Sequence, residues 1–191
     1  GWDAFCRRQG DRVLLVAGPQ TPVSGDARGC DLVLLAPLPS GTTARWLSTT
    51  EPRAHHLVYE AAYEFAAARI ARRVAGRSLG LVLSGGGARG FAHIGVIGAL
   101  ADAGFDVDRL GGCSMGAFVA ATSALGLDEE QIRERCRDEL VRRTPFNDWT
   151  LPRVALIRSR KAARMLERVF GELQVEELPR PLFSVSADLL S

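Results

Sequence analysis

Short apolar runs alternate along the chain with longer segments whose apolar residues recur at helical spacing. Residues 13–17 and 32–36 are continuous and β-rich, each followed by turn chemistry, Gly18-Pro19 and then the stretch from Pro37 to Gly41. Runs of that length read as strands buried on both faces. Residues 79–83, 107–113 and 182–187 read as three more strands. Between them, Tyr59, Tyr63, Ala66, Ile70 and Val74 mark a helix over 60–75, with Gly76 at the position where a helix-ending glycine belongs. Residues 92–103 predict a helix closed by Gly104, and 115–125 a small-residue helix ended by Gly126. Asp128 with Gln131 forms a capping-box pattern ahead of a helix burying Ile132, Cys136 and Leu140. A last helix carries Ala162, Met165, Leu166, Val169 and Phe170, and residues 50–58 read as a polar connection. Strands alternating with helices predict an α/β fold, a three-layer α/β/α domain with a mostly parallel sheet, preceded by a short α/β segment. The expected division is 1–58 for that segment, 59–78 for a linking helix and 79–191 for the main domain, with the strands at 79–83 and 109–113 adjacent and parallel.

Composition narrows the function classes. The 191 residues are 47% hydrophobic and 24% charged, which excludes disorder and collagen-like repeats. A net charge of +2 provides no field for nucleic acid, and Lys161 is the only lysine on an otherwise arginine-based positive side. The four cysteines, Cys6, Cys30, Cys113 and Cys136, include no C-x-x-C pair, which argues against structural zinc and a disulfide framework and for a reducing compartment. No run reaches the about 18 apolar residues of a membrane span. The start at Gly1-Trp2-Asp3 resembles no signal peptide, and both ends read as cut.

Two glycine motifs carry the candidate chemistry. Gly85-Gly86-Gly87-Ala88-Arg89-Gly90 lies between a strand and a helix. Alone it fits a dinucleotide fingerprint or a tight turn without a ligand. Asp106 and Asp108 fall near the acidic position of that fingerprint but on the wrong edge of the sheet, so the nucleotide reading is poorly supported. Gly112-Cys113-Ser114-Met115-Gly116 is a G-x-S-x-G at a strand-to-helix junction. A nucleophilic serine must stand clear of the backbone on a sharp turn, so its neighbours two positions away must be small. The helix that follows turns N–H groups and a positive dipole end toward a developing anion. Acyl transfer also needs donors aimed at the oxyanion, and consecutive glycines can turn their N–H groups inward without Cβ clashes.

With both motifs in place, the chain resembles the patatin-like phospholipases, which carry a G-G-G-x-R-G oxyanion loop and then a G-x-S-x-G elbow. The flanking Phe91-Ala92-His93-Ile94-Gly95 and Ala117 are similar too, and Phe146-Asn147-Asp148-Trp149-Thr150-Leu151-Pro152-Arg153, the residues from Arg158 to Arg168, the stretch from Arg8 to Val16 and His55-His56 resemble the neuropathy target esterase-like subgroup. The resemblance implies a lysophospholipase or phospholipase with a Ser-Asp dyad and no cofactor. Ser114 matches the nucleophile, Gly85, Gly86, Gly87, Ala88, Arg89 and Gly90 the oxyanion loop, and Gly112, Cys113, Met115 and Gly116 the elbow. It also implies a phospholipid or lysophospholipid substrate at a membrane surface, a cytoplasmic location or one on the cytoplasmic membrane face, and an upstream regulatory module of the cyclic-nucleotide-binding kind. The family's partner Asp stands in a D-G-[GA] turn, and no aspartate here is followed by glycine. Asp188 matches a different family landmark. The alternative is a catalytically silent module of the same fold that binds lipid or nucleotide.

Other residues invite weaker readings. His93, just after the glycine loop, reads as a packing residue rather than a triad member. His55 and His56 read as a solvated linker pair, and Cys113 as a buried elbow residue. Arg158, Arg160, Lys161, Arg164 and Arg168 form a basic helix face, which suits either anionic lipid or plain solvent. Arg89 can contact a phosphate or brace the loop.

Overall fold

The computed structural model describes residues 1–25, 27–149 and 159–187. They build parallel sheets with helices on both sides, the α/β/α class that the spacing predicts, and they divide into two compact units. The first comprises residues 1–80, 107–109 and 176–181. After helix α1 (Trp2–Gln9), strands β1 (Leu14–Ala17), β2 (Asp31–Ala36) and β3 (Ala54–Tyr59) lie side by side in that order. All run parallel, with Leu32 opposite both Leu15 and His55. Helix α2 (Thr42–Thr50) connects β2 to β3, and α3 (Tyr63–Val74) follows a short 3₁₀ turn. Because side chains alternate along a strand, Leu32, Leu34 and Leu57 pack with Ala17 and Trp46 on one face, while Val33 and Val58 pack against Ala66 of α3 on the other. Both faces of β2 are thus covered, as a continuous apolar run requires.

The segment expected as a polar connection is a strand. In Ala54-His55-His56-Leu57-Val58-Tyr59 the two histidines disguise the apolar pattern, yet His56 is buried on the α3 face beside Asp31, Arg69 and Arg73. A neutral imidazole can occupy such a site; burial first, then the positive charge of Arg69, holds its pKa down to about 4. His55 donates Nε2–H to the Glu176 carbonyl. Asp31, buried at the start of β2, accepts from Arg53 and Arg73, and those bonds outweigh the upward push of burial, so its pKa is lowered. Helix α3 ends at the predicted glycine: Gly76 has φ +70°, and its amide bonds the Arg73 carbonyl.

The second unit comprises residues 81–106, 110–175 and 182–191. Strands β4 (Gly80–Leu83), β5 (Arg109–Gly112) and β6 (Leu182–Ser184) are ordered β4-β5-β6. Bonds from Asp108 N–H to Leu79 O and from Cys113 N–H to Leu83 O advance together, so β4 and β5 run the same way, and β6 pairs parallel to β5. Helices α4 (Ala92–Asp102), α5 (Met115–Ala124), α6 (Glu129–Cys136) and α7 (Arg160–Phe170) complete the unit. Helix α5 buries Phe118, Val119, Ala120, Thr122 and Ala124, consistent with its lack of a polar stripe. Phe118 meets Phe170 of α7 edge-on at 5.9 Å. The predicted capping box forms, Gln131 N–H to Asp128 and Asp128 N–H to Gln131. On α7, Met165 and Val169 face inward, whereas Arg168 reaches the buried Glu139 carboxylate at 2.7 Å and Lys161 Nζ reaches Asn147. Part of that basic face is therefore spent on internal contacts; Arg158 lies outside the described residues. Among those residues no helix is long and apolar enough to cross a membrane.

Candidate active site

Strand β5 delivers its chain to Ser114, and the backbone there turns sharply. Ser114 has φ 50° and ψ −127°, a conformation that costs a non-glycine residue about 1–3 kcal/mol. The side chain is exposed, and α5 starts at the next residue, with the amides of Ala117 and Phe118 bonded to the Ser114 carbonyl. Small neighbours make the turn sterically feasible. A Cβ on Gly112 would lie 2.6 Å from the carbonyl carbon of Gly116, and one on Gly116 would lie 2.6 Å from that of Leu83 and closer still to the carbonyl oxygens of Leu83 and Ser84. Both glycines are required because backbone passes within van der Waals contact of their α-carbons. The positive φ of Ser114 and these two close approaches together make a sharp strand-to-helix turn.

Strand β4 delivers the glycine loop to the same place. A Cβ on Gly85 would stand 3.2 Å from Ser114 Cβ, and one on Gly90 would stand 2.7 Å from Met115 Cβ, so both ends of the loop lean on the elbow. Gly87 has φ +54°, which favours glycine. Within the loop the Arg89 amide donates to the Gly86 carbonyl, starting the 3₁₀ turn Gly87–Phe91. The Gly85 amide donates to Cys113 Sγ at 3.2 Å. The amides of Gly86 and Gly87 donate to no acceptor among the described residues. Ala88 and Arg89 are exposed.

One expectation changes at this point. Cys113 is exposed rather than buried, because its thiol turns toward the loop amide instead of the core. That contact links the two motifs, and no spacing rule signals it. His93 is held by the Ser84 carbonyl at 2.9 Å. A carbonyl only accepts, so Nε2 carries the proton and is committed to bracing the loop, in keeping with its reading as a packing residue. Asp108 is buried at the start of β5, where its carboxylate takes Arg72 and the Leu79 amide, a structural role at the opposite end of the strand from Ser114. A cavity of about 440 Å³ adjoins the glycine turn, lined by Phe91, Ala92, Ile94, Cys136 and Val141 together with Arg133 and Arg137. No aspartate among the described residues is followed by glycine, and Asp188 lies outside them.

The family model for patatin-like phospholipases matches residues 81–189. An uncharacterised NTE family protein of Mycobacterium tuberculosis (strain CDC 1551 / Oshkosh) is 36% identical over 100% of this chain and 32% of its own length. Patatin-like phospholipase domain-containing protein 6 of Mus musculus is 32% identical over 98% of the chain and 17% of its own length. Neuropathy target esterase sws of Drosophila persimilis is 34% identical over 63% of the chain and 9% of its own length. The chain thus spans about a third of the mycobacterial relative and less of the animal ones. By the span that the family model matches and by these relatives, the chain belongs to the patatin-like phospholipase family.

Proposed function

We propose that this chain carries the nucleophile and the oxyanion loop of a serine esterase that hydrolyses acyl esters of lysophospholipids or phospholipids. The observation that carries the reading is the backbone of Ser114, held at φ 50° between a strand and a helix beside a glycine loop in which the amides of Gly86 and Gly87 donate to no acceptor among the described residues. A serine in a merely structural turn has no need of that strain. Ser114 Oγ attacks the ester carbonyl carbon while its proton passes to a base, and the amides of Gly86 and Gly87 hold the oxyanion. Collapse breaks the bond to the glycerol oxygen, which leaves as the alcohol with that proton. Water then attacks the acyl-enzyme, releasing the fatty acid and restoring the serine. Gly85, Ala88, Arg89 and Gly90 shape the loop, and Gly112, Cys113, Met115 and Gly116 shape the elbow. The neighbouring cavity, apolar over Phe91, Ile94 and Val141, suits an acyl chain. We assign the base to an aspartate of the family's Asp-Gly type, which no aspartate in this sequence matches. The reading includes a substrate met at the cytoplasmic face of a membrane and, by resemblance, regulation through an upstream module of the cyclic-nucleotide-binding kind.

A fluorophosphonate probe tests the reading, because its phosphorus is electrophilic enough to trap a poised serine even where ester turnover is slow. The chain is expected to label at Ser114, and Ser114→Ala to lose the label. Absence of labelling combined with tight nucleotide or lipid binding would instead identify a silent module.

A further inference from the structure

The first unit contains a second polar cavity, of about 200 Å³, several times the roughly 30 Å³ share of one water molecule. His56 of β3, Arg69 and Arg73 of α3, Ser78 and Arg109 line it. Its charges do not balance. Arg69 is 2% exposed, yet its guanidinium meets only neutral acceptors, the carbonyls of Leu57 and Pro179, and its Nε has no partner. No carboxylate among the described residues forms an ion-pair contact with Arg69 or Arg109, and Asp108 acts on Arg69 only through its charge at longer range. Asp108, the one carboxylate of the lining, is occupied by Arg72 and the Leu79 amide, and Asp31 behind it by Arg53 and Arg73. Buried charges are normally paired, so an uncompensated arginine in a cavity wall is a group awaiting an anion. His56 is 3% exposed, and neither ring nitrogen makes a hydrogen bond among the described residues, with Asp31 Oδ2 standing 3.9 Å from Nε2. Burial first, and then the Arg69 charge, hold its pKa near 4, so the ring in the cavity wall is neutral.

We propose that this cavity is an anion site that takes a phosphate group, carried by a small molecule or by a lipid headgroup. Donors approach from three elements, β3, α3 and the start of β5, with the Ser78 hydroxyl as a fourth direction. A carboxylate offers two coplanar oxygens, whereas a tetrahedral phosphate offers oxygens in every one of these directions and close to two negative charges. The site owes nothing to Ser114 or the glycine loop, so its fate and that of the esterase reading are independent.

The test follows the ring nitrogens of the 191-residue chain, labelled with ¹⁵N-histidine, during titration with inorganic phosphate at constant ionic strength. The expected result is a saturable change at His56 in the millimolar range or below, with its titration midpoint rising from about 4, because a bound anion favours the imidazolium. Arg109 is exposed, so Arg109→Ala is expected to keep the fold, checked by circular dichroism, and to weaken binding by roughly tenfold or more. Binding to phosphatidylcholine vesicles containing phosphatidic acid, displaced by free phosphate and lost in Arg109→Ala, would assign the group to a lipid; response to free phosphate without vesicle binding would assign it to a soluble ligand. A response matched by chloride, unsaturable, or unchanged in Arg109→Ala would overturn the site.

Discussion

Replacing Gly116 with alanine probes the packing that creates the elbow. The new Cβ would lie 2.6 Å from the Leu83 carbonyl carbon, whereas ordinary contact begins at 3.4 Å. The obstructing atoms are backbone at the end of β4, so no side chain can rotate away, and α5 must lift off the strand by most of an ångström. Overpacking of this kind costs about 1–3 kcal/mol, and a backbone obstacle argues for the upper end. Helix preference acts in the opposite sense, since alanine is better than glycine within a helix by up to about 1 kcal/mol. The net expectation is a loss of about 2 kcal/mol. Gly95→Ala provides the comparison: it also lies in a helix, but nothing stands within 4 Å of its Cβ position, so a gain of about 0.5–1 kcal/mol is expected. Urea unfolding followed by circular dichroism measures both. Labelling of Ser114 by the fluorophosphonate should slow in Gly116→Ala, because that substitution displaces the turn that presents the serine. Equal stability of Gly116→Ala and the parent would refute the claim that α5 rests directly on β4.

Two further expectations concern titration and turnover. His56 is ordinarily half-protonated at 6.5 and here near 4, so the unfolded chain takes up its proton first as pH falls; stability is full above about pH 6.5 and declines by about 3 kcal/mol on the way to pH 4. The groups facing it are Arg69 and Arg73 from α3, Asp31 from β2 and His55 on its own strand, and a flat urea midpoint across that window would contradict its burial as a neutral ring. The 191-residue chain is expected to turn over a short-chain nitrophenyl ester only slowly, since a serine without its base keeps just the contribution of the oxyanion loop. Fast turnover abolished by changing one of its own aspartates would show that the base lies within these residues.

Much of the second unit was legible from the residues alone, because its signals are local. A helix-ending glycine, a capping box such as Asp128 with Gln131, and a serine flanked by glycines at a strand-to-helix junction each impose their geometry within a few residues. The same holds for the alternation that buries both faces of β2. What sequence alone could not supply depended on groups distant along the chain. Strand β3 looked polar because its histidines acquire their setting from Asp31 and from α3, and burial becomes favourable only once those elements meet. Cys113 turned outward because an amide 28 positions earlier donates to its sulfur. The uncompensated charge of Arg69 emerged only when folding paired Asp31 and Asp108 with other arginines, since charge balance in a buried cavity is a property of three-dimensional neighbours and not of composition.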